Sequence, residues 1–484
     1  LLFSNGVLSW VVIFSNGILA GSVLFSNPSM RRDVQNYLRQ WLSATDRKPL
    51  VIRGARQVGK THAVRALAAE EGYDLVELNL DLERDLHALF ALEPKRFFVE
   101  LAAIKGINFQ RIKPLLFIDE IQACPQALAA LRYFKEHTPE VPVISAGSLL
   151  DFALRDFTSS MPVGRIEFLY MYPLTFVEFI RTLAGDELAD YWSGINSLEP
   201  ISVPLHTKFL QLLRSYYFVG GMPEVVAKYA QDHSYLDVQK IQSAIIQTYE
   251  SDFSKYGEKS QFELLRRVFR QIPANIGKKI KYVNLSRDHR SAQVKEVFEL
   301  LHLAGVCFPV YRTSGNGIPL GADTDFNHYK AVFLDIGLAH HILGLRLYDP
   351  NALPSMEGLV TVMEGAMAEQ FVGQEFLGNH HYYERKELYY WHRESKNSNA
   401  EIDYLDSYGE RVIPYDVKAG AGTTLRSLQA FIAEKHCTRA YRLWVNNIQR
   451  DALVVRSREE QADLYSFPLY LAGRLNGRGM LKID

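Results

Sequence analysis

From Arg31 onward the apolar positions first take helical spacing, at Val34, Leu38, Trp41 and Leu42, and then contract into short runs. Leu50-Val51-Ile52 is one such run and ends in a glycine loop. Residues 60–70 are Ala-rich and predict a helix, and 75–80 alternate as a strand. Leu115–Ile118, preceded by Pro114, and Val141–Ile144, leading into Ala146-Gly147-Ser148, are apolar runs of strand length. Strands alternating with helices predict a parallel sheet covered on both faces. Residues 30–190 therefore read as one α/β domain. Residues 205–255 predict helices, broken at Gly220-Gly221-Met222-Pro223. Helical runs follow at 262–271 and 290–303, and Val306–Tyr311 and Ala331–Leu334 read as strands. From about 360 a second α/β pattern starts: a helix over 364–377, strands at Glu387–His392, Ile402–Leu405 and Val412–Lys418, and a helix near 425–435.

Residues 1–29 stand apart. They carry no charge and repeat a Phe-Ser-Asn motif at Phe3, Phe14 and Phe25. They lack the basic start of a secretory signal. Ser9, Ser15, Asn16 and Ser22 dilute a stretch barely long enough to span a bilayer. The expectation is a non-native or unstructured extension outside the folded protein, with no stable membrane insertion.

Composition narrows the class. Of 484 residues, 48% are hydrophobic and 23% charged, which excludes a mostly disordered chain. Lys+Arg 54 against Asp+Glu 55 leaves a net charge of −1, so any nucleic-acid signal must be local. Cys124, Cys307 and Cys437 lie too far apart for a CxxC-type zinc site, and they read as free thiols in a reducing cytosol. A cytoplasmic location is expected.

Gly54-Ala55-Arg56-Gln57-Val58-Gly59-Lys60-Thr61 fits the phosphate-binding pattern GxxxxGK[ST], after a strand and before a helix. Glycines let backbone N–H groups curl around phosphates, and the helix start adds its own free N–H groups. Lys60 is expected on the β- and γ-phosphates and Thr61 on Mg²⁺. Asp119 and Glu120 emerge at the end of an apolar strand, where ligands bind in open α/β sheets. Asp119 is expected to hold Mg²⁺ and Glu120 to polarise the attacking water. Ser148 would face the γ-phosphate, and Arg165 would supply charge to the transition state as an arginine finger does.

Together, Arg53–Thr61, Asp119-Glu120-Ile121-Gln122, Ala146-Gly147-Ser148 and Tyr172-Pro173-Leu174-Thr175-Phe176-Val177-Glu178-Phe179 resemble a family of prokaryotic AAA-type ATPases. In that family a C-terminal domain of unknown function, similar to PD-(D/E)xK nucleases, follows the ATPase. Gly220–Glu224, Phe333–Leu338 and Asp416-Val417-Lys418-Ala419-Gly420 fit it as well. The resemblance implies ATP rather than GTP, and the chain has no Asn-Lys-x-Asp guanine motif. The expected organisation is the extension at 1–29, an ATPase domain at 30–190, a helical lid segment at 191–260, a winged-helix-like segment at 261–330 and a restriction-endonuclease-like α/β domain at 331–484. A homo-oligomer is a further expectation.

Two regions add chemistry. Between Leu264 and Lys295 there are nine Lys/Arg and one acid, Asp288. Val294, Val297, Phe298 and Leu301 give the helix there an inward face, and a strand pair turning at Gly315-Asn316-Gly317 would form a wing. Residues 264–295, with Arg287, Arg290 and Lys295 foremost, are expected to meet DNA phosphates. In Glu401–Leu405 and Pro414–Lys418, polar and apolar residues alternate, so the polar side chains share a face. Asp403 and Asp416 would hold Mg²⁺, Lys418 would polarise water, and Glu369 would complete the set. The resemblance implies Asp403 as the first nuclease carboxylate and Asp416-x-Lys418 as the second half, although no Pro precedes Asp403. A catalytically silent domain acting as an ATP-dependent binding switch is the alternative.

Overall fold

The computed structural model describes every residue except 1, 5–6, 15–16, 25–29, 149, 151–163, 254–260, 345–360, 396–397, 421–423, 456–459, 479–480 and 482–484. The chain forms two units, residues 1–31 and 32–484. In the first, β1 (Leu2–Ser4), β2 (Val7–Phe14) and β3 (Gly17–Leu24) make an antiparallel sheet in that order. The register pairs Ser4 with Val7 and Phe14 with Gly17, so the sequence repeat sets the strand length. The unstructured extension expected here is thus corrected for the described residues. β-branched and aromatic runs separated by Asn-Gly have the composition of β-hairpins.

The second unit starts with a five-stranded sheet of β4 (Leu50–Arg53), β5 (Asp74–Asn79), β6 (Pro114–Asp119), β7 (Val143–Ala146) and β8 (Glu167–Tyr170). Its order is β5-β6-β7-β4-β8 and every neighbouring pair is parallel. Leu115–Ile118 are fully buried, as a strand covered on both faces requires. On one side the helices Pro94–Lys105 and Pro125–His137 close a core around Val76, Leu116, Phe97 and Phe134. Because β7 lies between β4 and β6, the loops after all three open at one edge of the sheet.

A helical region follows, including Val203–Val219, Pro223–Asp232 and Tyr235–Asp252. The helices Phe262–Gln271, Tyr282–Leu285 and Ser291–Leu303 come next. In the last, the expected inward residues Val294, Val297, Phe298 and Leu301 are all buried.

The chain ends in an eight-stranded mixed sheet. Its strands are β9 (Cys307–Thr313), β10 (Thr324–Phe333), β11 (Leu388–Ser395), β12 (Ser398–Tyr408), β13 (Arg411–Val417), β14 (Arg439–Trp444), β15 (Gln449–Val455) and β16 (Glu460–Pro468), in the order β10-β9-β11-β12-β13-β14-β16-β15. Helix Arg426–Lys435 packs Leu428, Phe431 and Ile432 against Trp391 and Ile402 of this sheet. The strand pair expected as a wing is part of a larger sheet. β9 does pair antiparallel with β10, but its other edge pairs with β11, so these strands belong to the C-terminal sheet. The boundary expected between 330 and 331 consequently runs through β10.

Three motifs quoted for the resemblance meet in one buried junction. The Gly221 N–H donates to Asp335 Oδ2 (2.6 Å), and the Leu174 N–H donates to the Gly221 carbonyl (2.6 Å). A Cβ on Gly220 would sit 2.1 Å from Asp335 Oδ1, and one on Gly221 2.3 Å from the Leu174 carbonyl, so both positions need glycine. The Phe176 N–H donates to Glu375 Oε1 (2.8 Å) on the helix Thr361–Gly378. The Tyr172–Phe179 motif therefore docks the five-stranded sheet's domain on the C-terminal one.

Candidate functional site

The loop between β4 and the helix Lys60–Glu70 carries the phosphate-binding pattern. Its sharp turns rest on positive φ at Gly54, Gln57 and Gly59. A Cβ on Gly54 would stand 2.3 Å from the Met171 carbonyl. Lys60 is buried and its Nζ donates to the carbonyls of Gly54 (2.9 Å) and Ala55 (2.8 Å), so the ammonium lies inside the loop. Burial lowers its pKa to about 8, opposed by the charges of Glu120 and Asp119. The Thr61 hydroxyl donates to Asp119 Oδ2 (2.9 Å), and Asp119 Oδ1 accepts the Glu120 N–H (3.0 Å). Burial raises the Asp119 carboxyl above its ordinary range.

Glu120 holds a left-handed φ of 51°. That strained turn at the end of β6 brings its carboxylate to two partners: Gln122 Nε2 donates to Oε2 (2.5 Å), and the Ser148 hydroxyl lies 3.5 Å from the same oxygen. Gly147 makes the approach possible, because a Cβ there would lie 2.1 Å from Gln122 Oε1. Lys60, Thr61, Asp119, Glu120 and Ser148 thus share one edge of the sheet.

Arg165 does not join them. It pairs with Glu136 (3.2 Å) in the last turn of the helix Pro125–His137. It precedes β8, whose Glu167 pairs with Leu50 at the start of β4, whereas the phosphate loop leaves β4 at its other end. Within one chain a parallel strand separates Arg165 from the loop, so as an arginine finger it would act on the nucleotide of a neighbouring copy.

Sequence reasoning missed Arg32. This buried side chain donates from Nη1 to the Val58 carbonyl of the loop, from Nη2 to the Tyr172 carbonyl and from Nε to Glu178 Oε1, each at 2.9 Å. Glu178 also closes a capping box with Thr175. From the other side, Asp252 pairs with Arg56 (2.9 Å), the Tyr249 hydroxyl donates to the Arg56 carbonyl (2.7 Å), and a Cβ on Gly305 would lie 3.3 Å from the Ala55 nitrogen.

A second cluster sits on the C-terminal sheet. Lys330 Nζ, on β10, meets Glu369 Oε2 (3.0 Å), Asp403 Oδ1 (3.4 Å) and Glu401. Its side chain is 3% exposed. Burial opposes its charge, but Glu369, Asp403 and Glu401 together hold its pKa well above the ordinary value. Asp403 Oδ2 accepts the Val417 N–H (2.8 Å). Asp416 is buried, and its Oδ1 accepts from Lys418 Nζ (2.9 Å). Burial, then Asp403, push Asp416 up to about 7 against the pull of Lys418. Burial likewise raises Glu369 to about 8. The expected residues Glu369, Asp403, Asp416 and Lys418 do converge, but no group of three or more His, Cys, Asp or Glu among the described residues is arranged to hold a metal. Two members of the expected metal set, Glu369 and Asp403, instead face an ammonium in this structure. Lys330, unforeseen, lies among the carboxylates.

Among the described residues, no helix is long and apolar enough to cross a membrane. A search of curated proteins finds no match for the chain. Among solved structures, the chain is similar to the ORC2 protein of Aeropyrum pernix in ADPNP–ADP complexes, at 14% identity and a TM-score of 0.31, over 66% of this chain and 93% of that one. It is also similar to the Aeropyrum pernix ORC1 protein in complex with DNA, at 12% identity and 0.27, with the same coverage. The Thermotoga maritima RuvB Holliday junction branch migration motor is similar at 16% and 0.25, over 57% of this chain and 88% of that one. By family, residues 210–349 match a domain of unknown function (DUF8612), residues 364–466 match another (DUF4143), and residues 46–180 match the AAA domain, which supports a P-loop nucleotide-binding domain of AAA type.

Proposed function

We propose that this protein hydrolyses ATP with Mg²⁺ and uses the nucleotide cycle to control a nucleic-acid-directed C-terminal module, as a cytosolic homo-oligomer. The observation that carries the ATPase reading is Glu120, held by Gln122 and Ser148 beside Lys60 and the Thr61–Asp119 pair. Lys60 binds the terminal phosphates, and the loop N–H groups hold the others. Glu120 orients a water and takes its proton in line with the γ-phosphate. Mg²⁺ suits the hydroxyl–carboxylate pair of Thr61 and Asp119, and when bound it neutralises phosphate charge. The contacts of Arg56 with Asp252 and of Ala55 with Gly305 support coupling, because both lead from the loop to the basic segment.

For the C-terminal domain, the run helix Thr361–Gly378, β11, β12, β13, helix Arg426–Lys435, β14 supports a PD-(D/E)xK-like core with Asp403, Asp416 and Lys418 on one face. The binding-switch reading is favoured over cleavage by one observation: the Lys330 ammonium already contacts Glu369, Glu401 and Asp403.

Lys60→Ala is expected to lose nucleotide binding. Glu120→Gln is expected to keep binding and to lose at least ~100-fold in turnover, the scale of a removed general base. Fluorescent-nucleotide titration and phosphate release, with and without DNA and with strand cleavage scored in parallel, check both. Wild-type turnover in Glu120→Gln would refute the role given to Glu120.

A further inference from the structure

The carboxylates on β12 and the helix Thr361–Gly378 raise the question of what balances them. Three carboxylates brought together without a counter-charge repel one another and resist ionisation. An isolated buried ammonium is costly in turn. Here the one offsets part of the other. Lys330 Nζ carries three N–H donors, and three acidic side chains surround it, Glu369, Glu401 and Asp403. Its charge also lies 5.4 Å from the centre of the Tyr390 ring, which attracts it further.

The spacing fits an ammonium. Glu369 Oε2 and Asp403 Oδ1 stand 3.0 and 3.4 Å from the cation centre. Mg²⁺ draws oxygens to about 2.1 Å and keeps several waters. The Lys330 side chain, 3% exposed, fills the centre where such an ion would sit. Both Asp403 oxygens already have a partner, Oδ1 in Lys330 and Oδ2 in the Val417 N–H. Asp416 faces a second tethered cation, Lys418, through Oδ1. Its buried Oδ2 has no hydrogen-bond partner, and it lies outside the Lys330 cage. Gly277 packs against Glu369, where a Cβ would come within 3.1 Å of Oε1.

We infer that Lys330 is the resident cation of this acid cluster, taking the place of the divalent metal, so that the C-terminal site is complete without one. Asp403 and Glu369 hold an ammonium that the chain itself supplies from β10. This holds whether or not the P-loop turns over ATP.

The test uses the full chain without nucleotide, to keep the P-loop from contributing, and Mn²⁺ followed by its electron paramagnetic resonance signal. Wild type is expected to bind no Mn²⁺ at millimolar concentration. Lys330→Met is expected to gain one site, which the added change Asp403→Asn removes. Mn²⁺ binding by wild type that Asp403→Asn abolishes would overturn the inference. So would a folded Lys330→Met protein that gains no site. If Lys330→Met does not fold, wild-type melting carries the test: an unchanged Tm with millimolar Mn²⁺ is expected, and an Asp403-dependent rise overturns it.

Discussion

At the residue scale, the Lys60 ammonium sits among loop carbonyls and has a pKa of about 8, because burial outweighs the nearby carboxylates. Phosphate oxygens would raise that value. ATP binding is therefore expected to take up a proton at and above about pH 8, and affinity to fall as pH rises through that value. Calorimetry in two buffers of different ionisation enthalpy measures the uptake; an identical heat in both would contradict it. The P-loop, Asp119 and Glu120 were legible in the sequence because their chemistry is written in adjacent residues. Arg32 and Lys330 were not. Arg32 reaches Glu178 across 146 positions and Lys330 reaches Asp403 across 73, and neither pattern contains a local signal. The position of Arg165 carried no local signal either: which end of a strand a lone Arg flanks is set by the sheet.

At the scale of elements, the helix Thr361–Gly378 joins the two sheets' domains. Glu369 faces Lys330, Gln370 Oε1 accepts the Phe333 N–H, Gln374 Oε1 accepts the Ile336 N–H, and Glu375 accepts the Phe176 N–H. The six steps from Glu369 to Glu375 span about 9 Å of helix. Burial raises the Glu375 carboxyl from an ordinary 4.5 to about 8. Between those values the folded protein binds a proton that the unfolded chain does not. This contribution to stability is full below the unfolded pKa and is lost as pH rises through about 8. Glu375→Gln keeps the acceptor and removes the titration, so the urea midpoint should change less between about pH 6 and about pH 8.5 than in wild type. An unaltered difference would place the proton elsewhere. The apolar runs of β4, β6 and β9 were readable as strands, whereas β14, β15 and β16 were not assigned. In β15 and β16 charged residues interrupt the apolar pattern, and in β14 Arg442 donates to Ser466 in the interior.

At the scale of the whole chain, the open question is what the basic segment meets. Its charges are not equivalent. Arg267 pairs with Asp288 and Arg270 with Glu250, so these two are partly neutralised within the protein. Arg287 and Arg290 are exposed before the helix Ser291–Leu303, and Lys295 lies half-buried in its second turn. That helix leads to Gly305, which packs on Ala55 of the phosphate loop, so a ligand on Arg287 and Arg290 would sit one helix away from the nucleotide. Reversing Arg287, Arg290 and Lys295 to Glu is expected to weaken DNA binding and to flatten its salt dependence. Each lost phosphate contact lowers the slope of log affinity against log salt by about 0.9. Arg270→Glu provides the contrast: placed against Glu250, it should lower stability and leave the slope nearly intact. Fluorescence anisotropy with duplex DNA across a salt series reads both. An unchanged slope in the triple reversal would mean that Arg287, Arg290 and Lys295 do not meet phosphate, and that the excess of positive charge serves solubility or a contact within the protein.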